Sequence, residues 1–528
     1  MTQVAASPSA AGFDRQRYEA DAEAFIAEIA EEQFRNLAGL KDDLALTPIY
    51  AGHPDLFTRE SADALSALAD AGDGDPGQAR EARLTREFAT DGLVRREVAP
   101  LTDAIATAES RTEIDWLGHR QTYRSAEVRV AEIADRAPRN ALQSLFEEAV
   151  EVINPLREER LRKQHEVARE LGHLDYVALY SAIKGIDFDA LAVSLQEFLA
   201  ESETVYFAAL RRFLARIDIE QGDASRADLA HVLRGELYDS WFTAARALPA
   251  LEETLRGLGI EMAQQENVTL DLERRPSKSP RAYCVAVRVP DDVRLLVLPR
   301  GGHDDYGSLL HEAGHLQHYA HVAADLPMAY RYFGDDSLTE GYAFVLDHLL
   351  LESRWLADHI GVSEAEATTY LDFVAFHELY FLRRYVAKLL YELRLHRGLE
   401  VGLARAYYAG ALSFLTGVRF SESSYLADVD DGLYAGQYLR AWLLEGSVSG
   451  QLRTRFGPTW WRERAAGEFL IDLWRRGQAQ SAEEVVAELG YDRLDWRPVL
   501  RHIRTRLIGE MSGYGGPNIT TRAGTRKV

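Results

Sequence analysis

Apolar residues recur every three or four positions over long stretches of this chain, most clearly in Tyr18–Leu40, Ala126–Leu171, Leu191–Ile217 and Ser363–Leu395. This spacing places the apolar side chains on one face of a helix and predicts amphipathic helices that bury that face. Ala, Leu, Glu and Arg, all good helix formers, dominate the same stretches. The 528 residues are therefore expected to form a mainly α protein, as about two to four compact units or one large two-lobed body.

One segment departs from the helical pattern. Ala282–Val289 and Val293–Leu298 are rich in β-branched and apolar residues, and Pro290, Asp291 and Asp292 between them are turn formers. This pattern predicts a β-hairpin. An edge strand of such a hairpin can pair with an extended peptide, but the hairpin can equally serve only to pack against helices.

Charge and cysteine content exclude several classes of function. The chain has 60 Lys and Arg against 83 Asp and Glu, a net charge of −23, which disfavours both nucleic acid and anionic membranes as partners. It has one cysteine, Cys284, so no internal disulfide or cysteine-bound metal cluster is expected. No apolar run approaches the roughly 20 residues that span a bilayer, and Met1–Phe13 does not resemble a secretory signal. We expect a soluble, cytoplasmic protein.

The sequence His-Glu-Ala-Gly-His at positions 311–315 carries the strongest chemical signal. Residues four apart share one helix face, so His311 and His315 can bind one metal ion, and Glu312 can take a proton from a water that the metal activates. The alternative is a pair of histidines with a purely structural role. The pair His377-Glu378 has no histidine four positions on, and we interpret it as structural.

A catalytic zinc needs a third protein ligand and an open position. Glu340 follows His315 by 25 residues, which allows one helix to end and a second to return, and it is the predicted third ligand. The alternative is that Ser337 and Glu340 form a capping box at a helix start. Asp347, two turns further on, is predicted to orient a ligand histidine, with a solvated surface charge as the alternative.

Two further histidines lie close to the motif. His318 lies too far along the helix to join the same ion easily, and we interpret it as a buried histidine with satisfied hydrogen bonds rather than an orienting residue. His303 lies on a turn before the helix and is assigned no role.

The stretch Leu309–Leu350 resembles the thimet oligopeptidase and oligoendopeptidase family of zinc peptidases and, more distantly, angiotensin-converting enzyme. The segment from Gly432 to Arg440 is similar to the family's tyrosine-rich segment. The resemblance implies that Tyr438 stabilises the oxyanion of the reaction, and that Tyr434 and Arg440 contribute to substrate binding. The spacing of the two tyrosines also fits a stripe of core residues.

The sequence departs from the family pattern at two positions. The family usually has a histidine upstream of the tyrosines, but Asp428-Val429-Asp430-Asp431 contains none. Ala441 stands where the thimet and converting-enzyme branches have a second tyrosine. These departures bear on turnover and specificity more than on metal binding.

The resemblance also implies an overall plan: a mainly α, two-lobed body with a deep channel and a small sheet beside the metal-binding helix. We predict a helical N-terminal lobe at residues 1–270 that forms the channel wall, a zinc-binding catalytic lobe at 271–510 and a flexible tail at 511–528. The predicted function is a zinc-dependent oligopeptidase with one Zn²⁺ that hydrolyses short unfolded peptides. The alternatives are a metal-dependent enzyme acting on a peptide-like metabolite, an iron site for redox chemistry, and a degenerate peptide-binding protein without catalysis.

Overall fold

The computed structural model describes residues 13–71 and 75–508, which form twenty α-helices and five β-strands joined by short 3₁₀ and π turns. The predicted tail at 511–528 lies outside these residues. The first ten helices are α1 (Arg15–Leu37), α2 (Thr47–Gly52), α3 (Arg59–Ala71), α4 (Pro76–Arg111), α5 (Tyr123–Glu132), α6 (Arg136–Glu170), α7 (Tyr176–Lys184), α8 (Phe188–Ala215), α9 (Arg226–Leu233) and α10 (Ala244–Gly257). The remaining ten are α11 (His303–His321), α12 (Met328–Tyr332), α13 (Asp336–Asp347), α14 (Ser353–Trp355), α15 (Glu364–His396), α16 (Val401–Thr416), α17 (Tyr434–Phe456), α18 (Arg464–Trp474), α19 (Ala482–Glu488) and α20 (Trp496–Ile508).

The five strands form two small sheets. Strands β1 (Glu113–Trp116) and β2 (His119–Thr122) make an isolated antiparallel pair. Strands β3 (Val268–Asp271), β4 (Tyr283–Arg288) and β5 (Asp292–Leu296) form a sheet with the order β3-β5-β4. The prediction of a mainly α chain with a small sheet is confirmed.

The predicted hairpin is confirmed as β4 and β5, which pair antiparallel with Cys284 opposite Leu295. Strand β3 pairs parallel to β5 and was not predicted, because four residues of alternating polarity give too short a signal. Since β5 lies in the middle of the sheet, β4 has one free edge. Helix α11 packs against β4 and β5, which places the sheet beside the helix that carries the histidine motif.

Three of the four helical stretches match single helices: α1, α8 and α15. Helix α15 begins with a capping box, in which the Ser363 hydroxyl accepts from the Glu366 N–H and the Glu366 carboxylate accepts from the Ser363 N–H. The stretch Ala126–Leu171 forms two helices, because the chain breaks between α5 and α6. The buried guanidinium of Arg139 binds the freed carbonyls of Ile133 and Ala134 at 2.8 Å each, which compensates for the helical hydrogen bonds lost there.

The largest cluster of buried apolar residues includes Val94, Leu210, Leu309 and Leu507, so it contains residues from both predicted lobes. Helix α15 crosses this core and packs against α8, α16, α17 and α20. The division into lobes at residue 270 stays a prediction. Among the described residues, no helix is both long enough and apolar enough to cross a bilayer.

Candidate metal centre and active site

Helix α11 carries the histidine motif on a side that faces α13. Leu309, Leu310, Ala313 and Leu316 are almost completely buried and fix the helix in the core. His311 and His315 lie one turn apart and keep only 14% and 11% of their side-chain exposure. Both imidazoles are therefore held in a largely dehydrated site with a narrow access to solvent.

Two glycines allow three helices to approach closely at this site. A Cβ atom at Gly314 of α11 would lie 2.5 Å from the Cα of Ala343 in α13. A Cβ atom at Gly341 of α13 would lie 2.8 Å from the Leu444 side chain of α17. Real Cβ atoms do not approach backbone so closely, so only glycine permits the packing at position 314, whereas a Cβ at position 341 would require the flexible Leu444 side chain to shift. The close approach brings Glu340 of α13 within reach of the motif.

His311, His315 and Glu340 converge on one point. The Oε2 atom of Glu340 lies 3.2 Å from His311 Nε2 and 3.6 Å from His315 Nε2. This oxygen is buried and has no hydrogen-bond partner among the described residues. A buried carboxylate oxygen without a partner is costly, and a cation between it and the two ring nitrogens removes that cost. Two imidazoles and one carboxylate are a donor set that Zn²⁺ accepts, so these residues fit a bound metal ion.

The imidazoles and the Glu340 carboxylate stabilise each other's charged forms. Burial by itself lowers the pKa of His311, but the carboxylates of Asp347 and Glu340 outweigh it and raise that pKa to about 10. Burial by itself raises the pKa of Glu340, but the imidazoles of His315 and His311 hold it well below its usual range. The Glu340 carboxylate is therefore ionised and attracts a positive charge to its side of the two rings.

The ligand side chains are held by neighbours. The Thr339 hydroxyl lies 2.8 Å from His315 Nδ1, and the Asp347 carboxylate lies 3.7 Å from His311 Nδ1. The Tyr434 hydroxyl donates to Glu340 Oε1. The contacts of Thr339 and Tyr434 occupy the atoms of His315 and Glu340 that face away from the point of convergence, which orients the other atoms toward it. Asp347 is too far from His311 Nδ1 for a direct hydrogen bond. Thr339 was not predicted, because a threonine inside a helix carries no distinctive sequence signal.

The capping-box alternative for Glu340 is wrong. Helix α13 is capped by Asp335, whose carboxylate accepts from the Ser337 N–H at 3.0 Å. Glu340 lies in the second turn and is 7% exposed, with its carboxylate turned toward α11.

Glu312 lies beside the point of convergence and is held by the sheet. Its Oε2 atom accepts a hydrogen bond of 2.7 Å from the backbone N–H of Cys284 in β4. Burial raises the pKa of Glu312, partly offset by the neighbouring imidazoles of His315 and His311. A carboxylate with a raised pKa is better suited to accept and return a proton near neutral pH.

Tyr438 and Tyr434 lie on the first two turns of α17, on the side that faces the motif. The ring of Tyr438 is 6.4 Å from that of His311, measured between centroids, and 5.0 Å from that of Phe344. Burial raises the pKa of both phenols well above the usual value, and the Glu340 carboxylate raises both further. Both hydroxyls are therefore protonated donors. A further tyrosine, Tyr385 of α15, lies 4.9 Å from the Tyr438 ring and was not predicted.

Arg440 lies on α17 but turns toward the start of α13. Its guanidinium donates two hydrogen bonds of 2.8 Å to the Asp335 carboxylate and one of 2.7 Å to the Ser337 hydroxyl, and it also binds Glu483. It is 4% exposed. These contacts stabilise the capped end of the helix that carries Glu340. Direct substrate binding by Arg440 stays a prediction.

The remaining histidines near the motif lie apart from Glu340. His318 is completely buried, with its ring edge-on to Tyr342 at 5.0 Å between centroids. Glu378 of the second His-Glu pair accepts from Trp442 Nε1 at 3.1 Å and lies 3.4 Å from His348 Nε2. These contacts fit the structural interpretation of Glu378.

The acidic loop that replaces the family histidine is neutralised by cations of neighbouring helices. Asp428 pairs with Arg384, Asp430 with Lys388 and Asp431 with Arg160. The next residues, Gly432 and Leu433, both have left-handed backbone angles, with φ of 66° and 54°. This turn directs the first residue of α17, Tyr434, toward Glu340.

Several solved structures share this fold over almost the whole chain. The M32 carboxypeptidase from Deinococcus radiodurans R1 has a TM-score of 0.64 at 16% identity, covering 94% of this chain and 99% of that one. A candidate oligoendopeptidase F from Bacillus anthracis str. Ames has a TM-score of 0.67 at 14% identity, covering 95% and 92%. PZ peptidase A with inhibitor 2 has a TM-score of 0.64 at 15% identity, covering 96% and 99%.

No protein-family model and no curated protein matches the sequence. The structural similarity establishes the fold: this chain has the mainly helical fold found in these carboxypeptidases and oligopeptidases. The predicted resemblance to oligoendopeptidases is thereby confirmed at the level of the fold. The predicted resemblance to thimet oligopeptidase and angiotensin-converting enzyme stays a prediction.

Proposed function

We propose that this protein is a zinc-dependent metallopeptidase that hydrolyses short unfolded peptides. The observation that carries the proposal is the convergence of His311, His315 and Glu340 around one buried, unpartnered carboxylate oxygen, with Glu312 held alongside. The shared fold with proteins named as peptidases supports the same class of reaction.

The chain's own residues supply acid–base chemistry and charge stabilisation. His311, His315 and Glu340 would hold a divalent cation, which would polarise a carbonyl and make water a better nucleophile. Glu312 takes a proton from the attacking water and returns it to the leaving amine. The Tyr438 hydroxyl donates a hydrogen bond to the oxyanion that forms at the peptide carbonyl.

The free edge of β4 is the proposed binding surface for the peptide backbone. The Cys284 N–H points away from β5 and toward Glu312, so the outward backbone groups of this strand face the reacting centre. A peptide added as a further strand would bring one carbonyl close to Glu312. This mode of binding requires an extended peptide and excludes folded substrates.

Two modes of cleavage remain open, since the similar structures include both a carboxypeptidase and a candidate oligoendopeptidase. We favour an oligopeptidase because the β4 edge offers backbone pairing along the substrate. A carboxypeptidase would cleave peptides with a free C-terminal carboxylate and leave amidated peptides intact, whereas an oligopeptidase would cleave both.

The decisive experiment is Glu312→Gln, tested with quenched fluorescent peptides in free-acid and amidated forms. We expect wild-type cleavage of both forms and a loss of at least about 10²-fold in kcat for the variant, with bound zinc unchanged. Glu468→Gln, an exposed carboxylate with 67% side-chain exposure, is the matched control and keeps full activity. A variant E312Q that cleaves at the wild-type rate excludes Glu312 as the base. Zinc binding without cleavage of any peptide favours the metabolite or peptide-binding alternatives.

A further inference from the structure

A second group of two imidazoles and a carboxylate lies at the start of the motif helix. His303 and Asp304 are the first two residues of α11, and His377 lies in the middle of α15. One ligand atom from each of the three lies within 4.8 Å of the others, the same spacing that holds for His311, His315 and Glu340. The sequence separates His303 from His377 by 74 positions, so no local pattern reveals this group.

His303 is oriented in the same way as His315. Its Nδ1 atom lies 2.8 Å from the hydroxyl of Tyr370, a completely buried residue. The contact leaves Nε2 as the atom available to a ligand. The rings of His303 and His377 are perpendicular, with centroids 5.4 Å apart, and the His303 ring is 5% exposed. In metal sites the second nitrogen of a ligand histidine is usually held by a hydrogen bond.

His377 supplies a buried nitrogen without a hydrogen bond. Its Nδ1 atom has no partner among the described residues, and Oε1 of the adjacent Glu378, at 3.9 Å, is beyond hydrogen-bond reach. An unpartnered buried nitrogen is costly unless a ligand occupies it. Asp304, in contrast, is exposed, which leaves the site open to solvent and able to take up an ion.

Charged groups of both signs surround the three side chains. The carboxylates of Asp239 and Glu378 and the guanidinium groups of Arg234 and Arg281 are close enough to act on His303 or Asp304. The nearby Arg234 is already held by Asp239 through two hydrogen bonds of 2.8 Å.

We propose that His303, Asp304 and His377 bind a second divalent cation of the kind that accepts nitrogen and oxygen ligands, such as Zn²⁺. Eight residues of helix separate His303 from His311, or about 12 Å, which is too far for two ions that act on one substrate group together. The second ion instead links the start of α11 to α15. It thereby fixes the position of the helix that presents both motif histidines.

The experiment counts bound metal in the purified full chain after zinc loading and dialysis, by mass spectrometry of the metal. We expect two zinc ions per wild-type chain and one in Asp304→Asn, an isosteric change at an exposed residue that spares the core. Glu340→Gln also retains one ion, and the double variant D304N/E340Q retains none. His119→Ala, an exposed histidine on β2, is the control for surface binding and retains two.

The outcomes separate this proposal from the proposed function, on which it does not depend. One ion in the wild type that is lost in E340Q and kept in D304N overturns the second site and leaves the first intact. An ion lost in D304N and kept in E340Q supports the second site and contradicts the first. A second readout is the thermal midpoint of E340Q: added zinc raises it, and the variant D304N/E340Q shows no such rise.

Discussion

Gly314 of α11 and Ala343 of α13 are in near backbone contact, since a Cβ at Gly314 would lie 2.5 Å from the Ala343 Cα. This contact sets the distance between the two helices that contribute ligands. The glycine inside the motif is thus a packing requirement of the proposed metal centre as well as a feature of the sequence pattern.

Gly314→Ala is therefore expected to separate α11 from α13. The added methyl group meets backbone that cannot move aside, so the free energy of unfolding falls by about 1–3 kcal/mol despite alanine's better helix propensity. Zinc affinity, measured by competition with a chelator, falls with it. Gly410→Ala is the control: a Cβ at this position in α16 meets nothing within 4 Å, and the variant gains up to about 1 kcal/mol. If G314A also gained stability and kept its zinc affinity, the helix contact would not limit the site.

Thr339→Val removes the hydroxyl that orients His315 while keeping the shape of the side chain. Thr339 is 5% exposed, so water does not readily replace its contact with Nδ1. We expect zinc affinity to fall by about 10–100-fold, as is usual when an orienting partner of a ligand is lost. Thr416→Val is a matched control, because that buried hydroxyl donates to the Leu412 carbonyl within its own helix. An unchanged dissociation constant for T339V would show that His315 needs no such support.

The sequence patterns predicted the parts of this structure that depend on short separations. The helical period of the apolar residues predicted α1, α8 and α15, and the β-branched run predicted the hairpin. The spacing of four residues predicted that both motif histidines lie on one face of α11. Each of these depends only on residues within a few positions of each other, which is the range over which periodicity carries information.

Side-chain contacts between different helices could not be predicted from the spacing of residues in the sequence. The contact between Thr339 and His315 requires the crossing of α11 and α13, and the contact between Arg440 and Asp335 joins residues 105 positions apart. Glu340 was predicted because two histidines alone make an incomplete zinc site and a spacing of 25 residues allows a second helix to return, but a capping role stayed open. Only the structure excludes the capping role, because Asp335 caps this helix.

Arg440→Met tests whether this arginine stabilises α13 or binds substrate. Arg440 and Asp335 keep 5% and 8% of their side-chain exposure, so the variant leaves a buried carboxylate with one of its main partners missing. We expect a loss of about 3–5 kcal/mol in the free energy of unfolding, measured by denaturant titration. The double variant Asp335→Asn/Arg440→Met should recover part of that loss, since asparagine caps a helix without a charge. A stable R440M protein with a raised KM would instead assign Arg440 to substrate binding.

Acid sensitivity is expected from a pair of histidines, the partly buried His165 and the buried His396, that joins α6 to α15. His165 Nε2 and His396 Nδ1 are 2.9 Å apart, and the His396 ring stacks on Tyr176 at 4.3 Å between centroids. Burial, together with the neighbouring Arg169, lowers the pKa of His165 to about 4. Burial, together with the adjacent His165, lowers that of His396 to about 3. In the unfolded chain both imidazoles take up a proton near pH 6.5.

The folded state thus binds fewer protons than the unfolded state below about pH 6.5, and the free energy of unfolding falls as the pH drops toward 4. Each imidazole contributes a slope of up to about 1.4 kcal/mol per pH unit in this range. His396→Phe keeps the stacking on Tyr176 and removes one titrating group, so its stability should fall less steeply between pH 6.5 and 4.5. The exposed His119→Gln variant serves as the control and follows the wild-type slope. Equal slopes for H396F and wild type, measured by urea titration at each pH, would mean that His396 takes up its proton equally well in the folded chain.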